Sequence, residues 1–215
     1  MLTISKTSLR PASRVCVSVI KPAKDIASIN PKEILQRREI LFKGRQEEKY
    51  NLSYREFLRF FENKENITTS DLIIAANFTY GWMPTILDFK ARNFAECARI
   101  LDRSRAEKLL EDEELLRLAR LINNSLVGTS KLLHFANPEV YPIWDSRVCK
   151  FLTGTTYPVN RFLVFRAYVD LCLRVIEFDE LQDTHEKYVQ YIGFTMTPIR
   201  TLEQVMFLSS DNPLR

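Results

Sequence analysis

The groups best able to do chemistry lie in one stretch, Asn124 to Leu152, which reads NSLVGTSKLLHFANPEVYPIWDSRVCKFL. Asp145 comes first among them. Tyr141-Pro142-Ile143-Trp144 is a constrained approach that delivers its carboxylate to the start of a helix. Two roles are open to it there. As an N-cap it accepts backbone N–H groups that otherwise lack partners. Facing a substrate, it stabilises developing positive charge or activates water. Upstream, Leu126-Val127-Gly128-Thr129-Ser130 reads as a tight turn between two helices, with Gly128 free to take a positive φ. Such a turn aims successive backbone N–H groups at a phosphate. Gly128, Thr129 and Ser130 are the candidate donors, and Lys131 adds positive charge beside them.

Helices must position these groups. The periodicity from Pro31 onward is helical. It predicts one compact all-α domain over residues 31–215, with roughly eight to ten short helices and a helix-hairpin-helix-like core at about 115–155. Asn30-Pro31 and Thr197-Pro198 are cap and first-turn pairs. Thr68 to Asp71 caps an apolar helix over Leu72 to Phe78, which ends in Tyr80-Gly81-Trp82-Met83-Pro84. Tyr80 and Trp82 there either wall a pocket that stacks a base or close the core. In the central stretch a short apolar helix runs from about Ser130 to Ala136 and stops at Asn137-Pro138, because the residue before proline leaves the α region. His134 on that helix reads as a hydrogen-bonded core histidine or a pocket residue. Trp144 reads as a packing anchor or a pocket wall. Arg147 is a candidate partner for Asp145.

Composition narrows the class. A hydrophobic fraction of 46% supports a real core. No run of apolar residues is long enough for a membrane helix. Cys16, Cys97, Cys149 and Cys172 form no close pair, so neither a zinc site nor a disulfide framework is expected, and a reducing cytoplasm is the expected compartment. In residues 1–30, Lys6, Arg10, Arg14, Lys21 and Lys24 stand against Asp25 alone, which accounts for the whole formal net charge of +4. This basic N-terminal arm is either extended or a short strand over Arg14 to Lys21, and it can track phosphates. The body is charge-neutral.

Val127-Gly128-Thr129-Ser130-Lys131, an apolar helix, and then Pro142-Ile143-Trp144-Asp145-Ser146-Arg147-Val148 together resemble the core of the helix-hairpin-helix DNA glycosylase superfamily. The resemblance covers about 25 of 215 residues. It implies that Asp145 is the catalytic carboxylate, that Gly128 and Ser130 hold a phosphate of double-stranded DNA, and that the target base is flipped into a pocket. The chain departs from that pattern in having a single hairpin glycine, with Ser130 at the second position. Leu132 stands where members that also cut the strand carry a Schiff-base lysine, and Lys131 falls one position early. The resemblance therefore implies a monofunctional enzyme with no cofactor, metal or iron–sulfur cluster. A non-catalytic helical module binding nucleic acid or a protein partner is the other reading of the same scaffold.

Overall fold

A computed structural model describes residues 21–43, 48–83, 85–106 and 108–214, with the backbone alone for 48–51. The expected strand over Arg14 to Lys21 lies almost wholly outside these residues. Lys21 itself begins a helix, α1, over residues 21–27. Ile26 and Ile29 are buried in the core, so the last part of the expected arm belongs to the body.

The described chain is all-α. After α1 come α2 (Pro31–Leu35), a 3₁₀ helix (Arg38–Phe42), α3 (Glu48–Glu62), α4 (Thr69–Trp82), α5 (Phe94–Arg103), α6 (Asp112–Leu121), α7 (Leu126–Ala136) and α8 (Ser146–Thr153). A second 3₁₀ helix (Tyr157–Asn160) precedes α9 (Phe162–Val175), α10 (Asp179–Ile192) and α11 (Pro198–Leu208). An isolated bridge between Phe89 and Ile122 is the nearest approach to a strand among the described residues. α7 packs against α3, α4, α5 and α6, whereas α11 packs against α2, α8, α9 and α10. The extended segment between α7 and α8 joins these two groups.

Local sequence explains most of the boundaries. Asn30 caps α2 through its side chain, which accepts from Lys32 N–H, and Pro31 opens the helix. Thr68 and Asp71 form a reciprocal capping box at α4. Gly154 and Gly193 end α8 and α10 in the left-handed region, at φ 73° and 62°. Helix α6 spans Asp112–Leu121. Asp112, Glu113 and Glu114 crowd its first turn, where the helix dipole favours negative charge.

The α6–α7 turn differs from the expectation. Gly128 is not at its tip. Left-handed φ values of 56° and 49° fall on Asn123 and Asn124, and α7 begins at Leu126 rather than at Ser130. Asparagine tolerates this region because its short polar side chain bonds locally. Asn123 Nδ2 donates to the Ile86 carbonyl at 2.8 Å, and its Oδ1 accepts from Asp88 N–H. Ser125 is then the N-cap, accepting Gly128 N–H at 3.1 Å.

Gly128 is needed for contact, not for φ. A Cβ there would come within 2.8 Å of Tyr80 Cε2. The Tyr80 ring is fixed by burial and by its hydroxyl, which donates to the Ile122 carbonyl at 3.3 Å. Gly128→Ala should therefore destabilise the fold by about 1–3 kcal/mol through overpacking, as read by denaturant unfolding. On a Tyr80→Leu background the same substitution should be close to neutral, since alanine is the better helix former. An equal cost on both backgrounds would show that Tyr80 is not the obstacle.

Candidate functional site

Asp145 is the N-cap of α8. Its Oδ1 accepts from both Arg147 N–H and Val148 N–H, each at 2.9 Å. The carboxylate is half-buried. Arg147 does not close over it. Its guanidinium turns away, donating through Nε to Ser210 Oγ at 3.0 Å and lying 4.2 Å from the Phe207 ring centre. The expected Arg147 partnership is therefore replaced by contacts with α11 and the residues after it.

Ser130 sets where Asp145 sits. Its hydroxyl accepts Trp144 N–H at 2.9 Å and donates to the Val127 carbonyl at 2.9 Å. This side chain thus pins the approach segment to α7. Trp144 is fully buried, with its ring centre 4.8 Å from that of Tyr168 and its indole N–H donating to the Val159 carbonyl at 2.7 Å. It anchors the chain one residue before Asp145. Thr129 is also fully buried, and its hydroxyl donates to the Ser125 carbonyl at 2.7 Å. The side chains of Thr129 and Ser130 are turned inward, and Gly128 is packed under Tyr80. The outward phosphate cradle expected at residues 128–130 is not formed, because these residues are inside α7 rather than in a turn.

Lys131 is half-buried, and the charge of Asp145 acts on it. Burial pushes its ammonium pKa down, while the negative charges of Asp145 and Glu203 oppose that shift. Its Nζ lies 5.9 Å from the Trp82 ring centre, and Arg200 Cζ lies 5.8 Å from the same ring. Trp82, half-buried at the end of α4, thus has two cations around its indole. The helix runs through Gly81 to reach it, where the sequence predicted a turn.

Two residues of this cluster were not anticipated. Arg200 and Glu203 of α11 form an ion pair one helical turn apart, with side chains 13% and 1% exposed. With its oxygen toward the guanidinium, the Gln204 amide accepts from Arg200 Nη2 at 2.8 Å. Burial pushes the Glu203 carboxyl up to about 7, against the pull of Arg200. The sequence did carry a signal for them. Arg200 and Glu203 are interleaved with Ile199, Leu202, Val205 and Met206 on a helix buried nearly all round. Charges placed so need partners.

His134 is the core histidine of the alternatives. Its Nδ1 lies 2.7 Å from the Tyr141 carbonyl, which can only accept, so Nδ1 carries the proton. Nε2 then accepts from the Tyr54 hydroxyl at 2.8 Å. The ring is neutral, and its burial, with help from Arg200, pushes its pKa down to about 3. The folded value lies below the unfolded one, so this contribution to stability is complete above pH 6.5 and is lost as pH falls toward 3. Glu203 acts in the opposite sense: its raised value makes the folded state gain stability as pH falls from 7 toward 4.5. A difference measurement separates the two. The stability advantage of wild type over His134→Gln should shrink by roughly 2–3 kcal/mol between pH 7 and 4.5. A pH-independent difference would contradict the neutral, buried assignment.

A cavity of about 440 Å³, lined by Leu58, Phe61, Glu62, Asp102, Arg105 and Phe135 among others, lies toward the other end of α7 and includes none of the Asp145 cluster. No helix among the described residues is long and apolar enough to cross a membrane. No family model, curated protein or solved structure matches the chain.

Proposed function

We propose that this protein binds double-stranded DNA and excises a base by cleaving its N-glycosidic bond, with Asp145 as the catalytic carboxylate. The observation that carries this reading is the half-buried Lys131, 5.9 Å from the Trp82 ring centre and close enough to Asp145 for the carboxylate's charge to act on it. Leu132, at the position where the family resemblance calls for a lysine, is fully buried in the core. Lys131 is the amine coupled to the carboxylate instead.

Each group has a task. The Asp145 carboxylate accepts two backbone N–H groups at the N-terminal end of the α8 dipole, which favours negative charge there. That charge stabilises the cationic sugar as the base departs. Lys131, partly desolvated, has a larger neutral fraction than a solvated lysine and so is the better nucleophile. Attack of its Nζ on the sugar C1′ forms a C–N bond as the bond to the base breaks; the base leaves with that bond's electron pair and takes up the proton that the nitrogen loses, and water then hydrolyses the covalent intermediate. This departs from the monofunctional expectation, in which water attacks the sugar with the help of Asp145. The basic residues before Lys21 supply phosphate attraction that the neutral body lacks.

The other reading, a non-catalytic helical module, is favoured by one feature: both hydrogen bonds to Asp145 are those of an ordinary helix cap. Labelled duplexes carrying undamaged, uracil, alkylated, oxidised or hydroxymethylated bases decide between the two. Affinity is measured at two salt concentrations, and alkali with heat then reveals abasic sites. The proposal expects strand breaks at one class of modified base. Salt-sensitive binding to every duplex without breaks would support the module, and no binding would exclude both.

A further inference from the structure

We propose that the connection between α8 and α9 is a contact for single-stranded DNA, with Tyr157 stacking on an unpaired base and Arg161 holding the neighbouring phosphate. The substrate this implies is a duplex that adjoins unpaired nucleotides. The inference rests on the DNA-binding part of the reading above and not on its chemistry at Asp145.

Charge sets this stretch apart. From Ser146 to Val169 the chain carries Arg147, Lys150, Arg161 and Arg166 and no acidic residue. Three of these cations are engaged elsewhere. Arg166 pairs with Asp112 at 3.2 Å, Lys150 pairs with Asp211 at 3.1 Å, and Arg147 lies on the Phe207 ring. Arg161 is exposed, and no carboxylate among the described residues pairs with it. Its Nη2 donates instead to the Tyr157 hydroxyl at 3.0 Å, and its Cζ lies 5.5 Å from that ring's centre.

Tyr157 is 75% exposed, so it adds little to the core, and Leu163 beyond it is also exposed. The backbone beneath the ring is nevertheless firmly held. Pro158 is buried, and the Thr155 hydroxyl accepts Tyr157 N–H at 3.3 Å. The Val159 carbonyl accepts the Trp144 indole N–H at 2.7 Å, which ties this connection to the residue before Asp145. A platform ordered in this way loses little further freedom when it binds.

An exposed tyrosine beside a guanidinium that lacks a carboxylate has the chemistry of a stacking platform. The ring takes the face of a base, and the cation takes the backbone next to it. The exposed Thr155, Thr156 and Asn160 add polar groups of the kind that bind phosphate and sugar. Inside a duplex each base is already stacked, so the platform selects unpaired nucleotides, whose faces are free.

Undamaged DNA tests this contact without calling on catalysis. Wild type, Tyr157→Ala, Tyr157→Phe and Arg161→Ala are titrated at two salt concentrations against a labelled duplex that is either blunt or extended by a single-stranded tail of about ten nucleotides. Thermal unfolding verifies that each variant is folded. The proposal expects wild type to prefer the tailed duplex by at least about fivefold, and Tyr157→Ala to lose that preference while its affinity for the blunt duplex stays within about twofold. Tyr157→Phe keeps the ring and should keep the preference. Arg161→Ala should weaken binding to the tailed duplex and lower its salt slope by about 0.7, the share of one phosphate on a single strand. Equal wild-type affinity for the two duplexes, or a Tyr157→Ala protein that retains the preference, overturns the inference and leaves the DNA reading standing. Equal losses in Tyr157→Phe and Tyr157→Ala overturn the stacking role. Binding of wild type to neither duplex overturns this inference and the DNA reading together.

Discussion

Asp145→Asn should abolish base excision, by at least about 10²-fold, while leaving the protein folded and able to bind DNA. The substitution separates the two roles of the carboxylate. Both cap hydrogen bonds go to one oxygen, Oδ1, from Arg147 N–H and Val148 N–H. An asparagine amide oxygen can accept both, and asparagine ranks beside aspartate as an N-cap, so the stability change should stay within about 1 kcal/mol. What is lost is the negative charge that acts on Lys131 and that the proposed reaction sets beside the sugar cation. Asp145→Ala should lose activity to the same extent and also lose about 1 kcal/mol of stability with the cap. Alkaline strand cleavage and denaturant unfolding on the same preparations read the two effects. Full activity in Asp145→Asn would reduce Asp145 to a helix cap.

The largest structural effect should come from the preceding residue. Trp144→Ala should destabilise the fold by about 3–5 kcal/mol, read as a loss in denaturant unfolding. The indole is 0% exposed, lies tilted against Tyr168, and satisfies the Val159 carbonyl. Truncation leaves a cavity and an orphaned acceptor together. Trp144→Phe keeps most of the volume and loses only the N–H donor, so it should cost less than half as much. The two variants should also rank in the same order for activity, because the indole anchors the chain one residue before Asp145. A Trp144→Ala protein with wild-type stability would contradict the packing described for this segment.

Much of the fold was legible in the sequence because its boundaries are made by local chemistry. Asn30-Pro31, Thr68 to Asp71, Asp145 and Thr197-Pro198 each act through their own side chain or ring within one turn, and each caps a helix as expected. The α6–α7 turn was misread because glycine is the commoner left-handed residue. Asn123 and Asn124 took that conformation instead, held by a loop some 35 residues earlier, a partnership no local pattern announces. Gly128 then proved to be a contact with Tyr80 across two helices.

The site divides along the same line. Asp145 as a helix start, His134 as a hydrogen-bonded core histidine and Trp144 as an anchor follow from their immediate neighbours. Lys131 was expected to add charge beside a phosphate-binding turn; a one-residue offset on a helix decides which face a side chain takes, and only the packing of α7 fixes that face. Arg200 and Glu203 pair with each other within one turn, but what surrounds them comes from distant segments, with Tyr54 of α3 and Trp82 of α4 beside Arg200. Their appearance within an apolar helix was the trace they left.

The central claim, that Lys131 and Asp145 act together on the sugar of DNA, is tested most directly by covalent capture. Wild type, Lys131→Ala and Asp145→Asn are each incubated with a duplex bearing one abasic site and borohydride, and the cross-linked residue is identified by peptide mass. The account predicts a stable adduct in wild type located at Lys131, and none in Lys131→Ala despite retained DNA binding. An adduct that persists in Lys131→Ala, or one that maps to a lysine elsewhere, would contradict it.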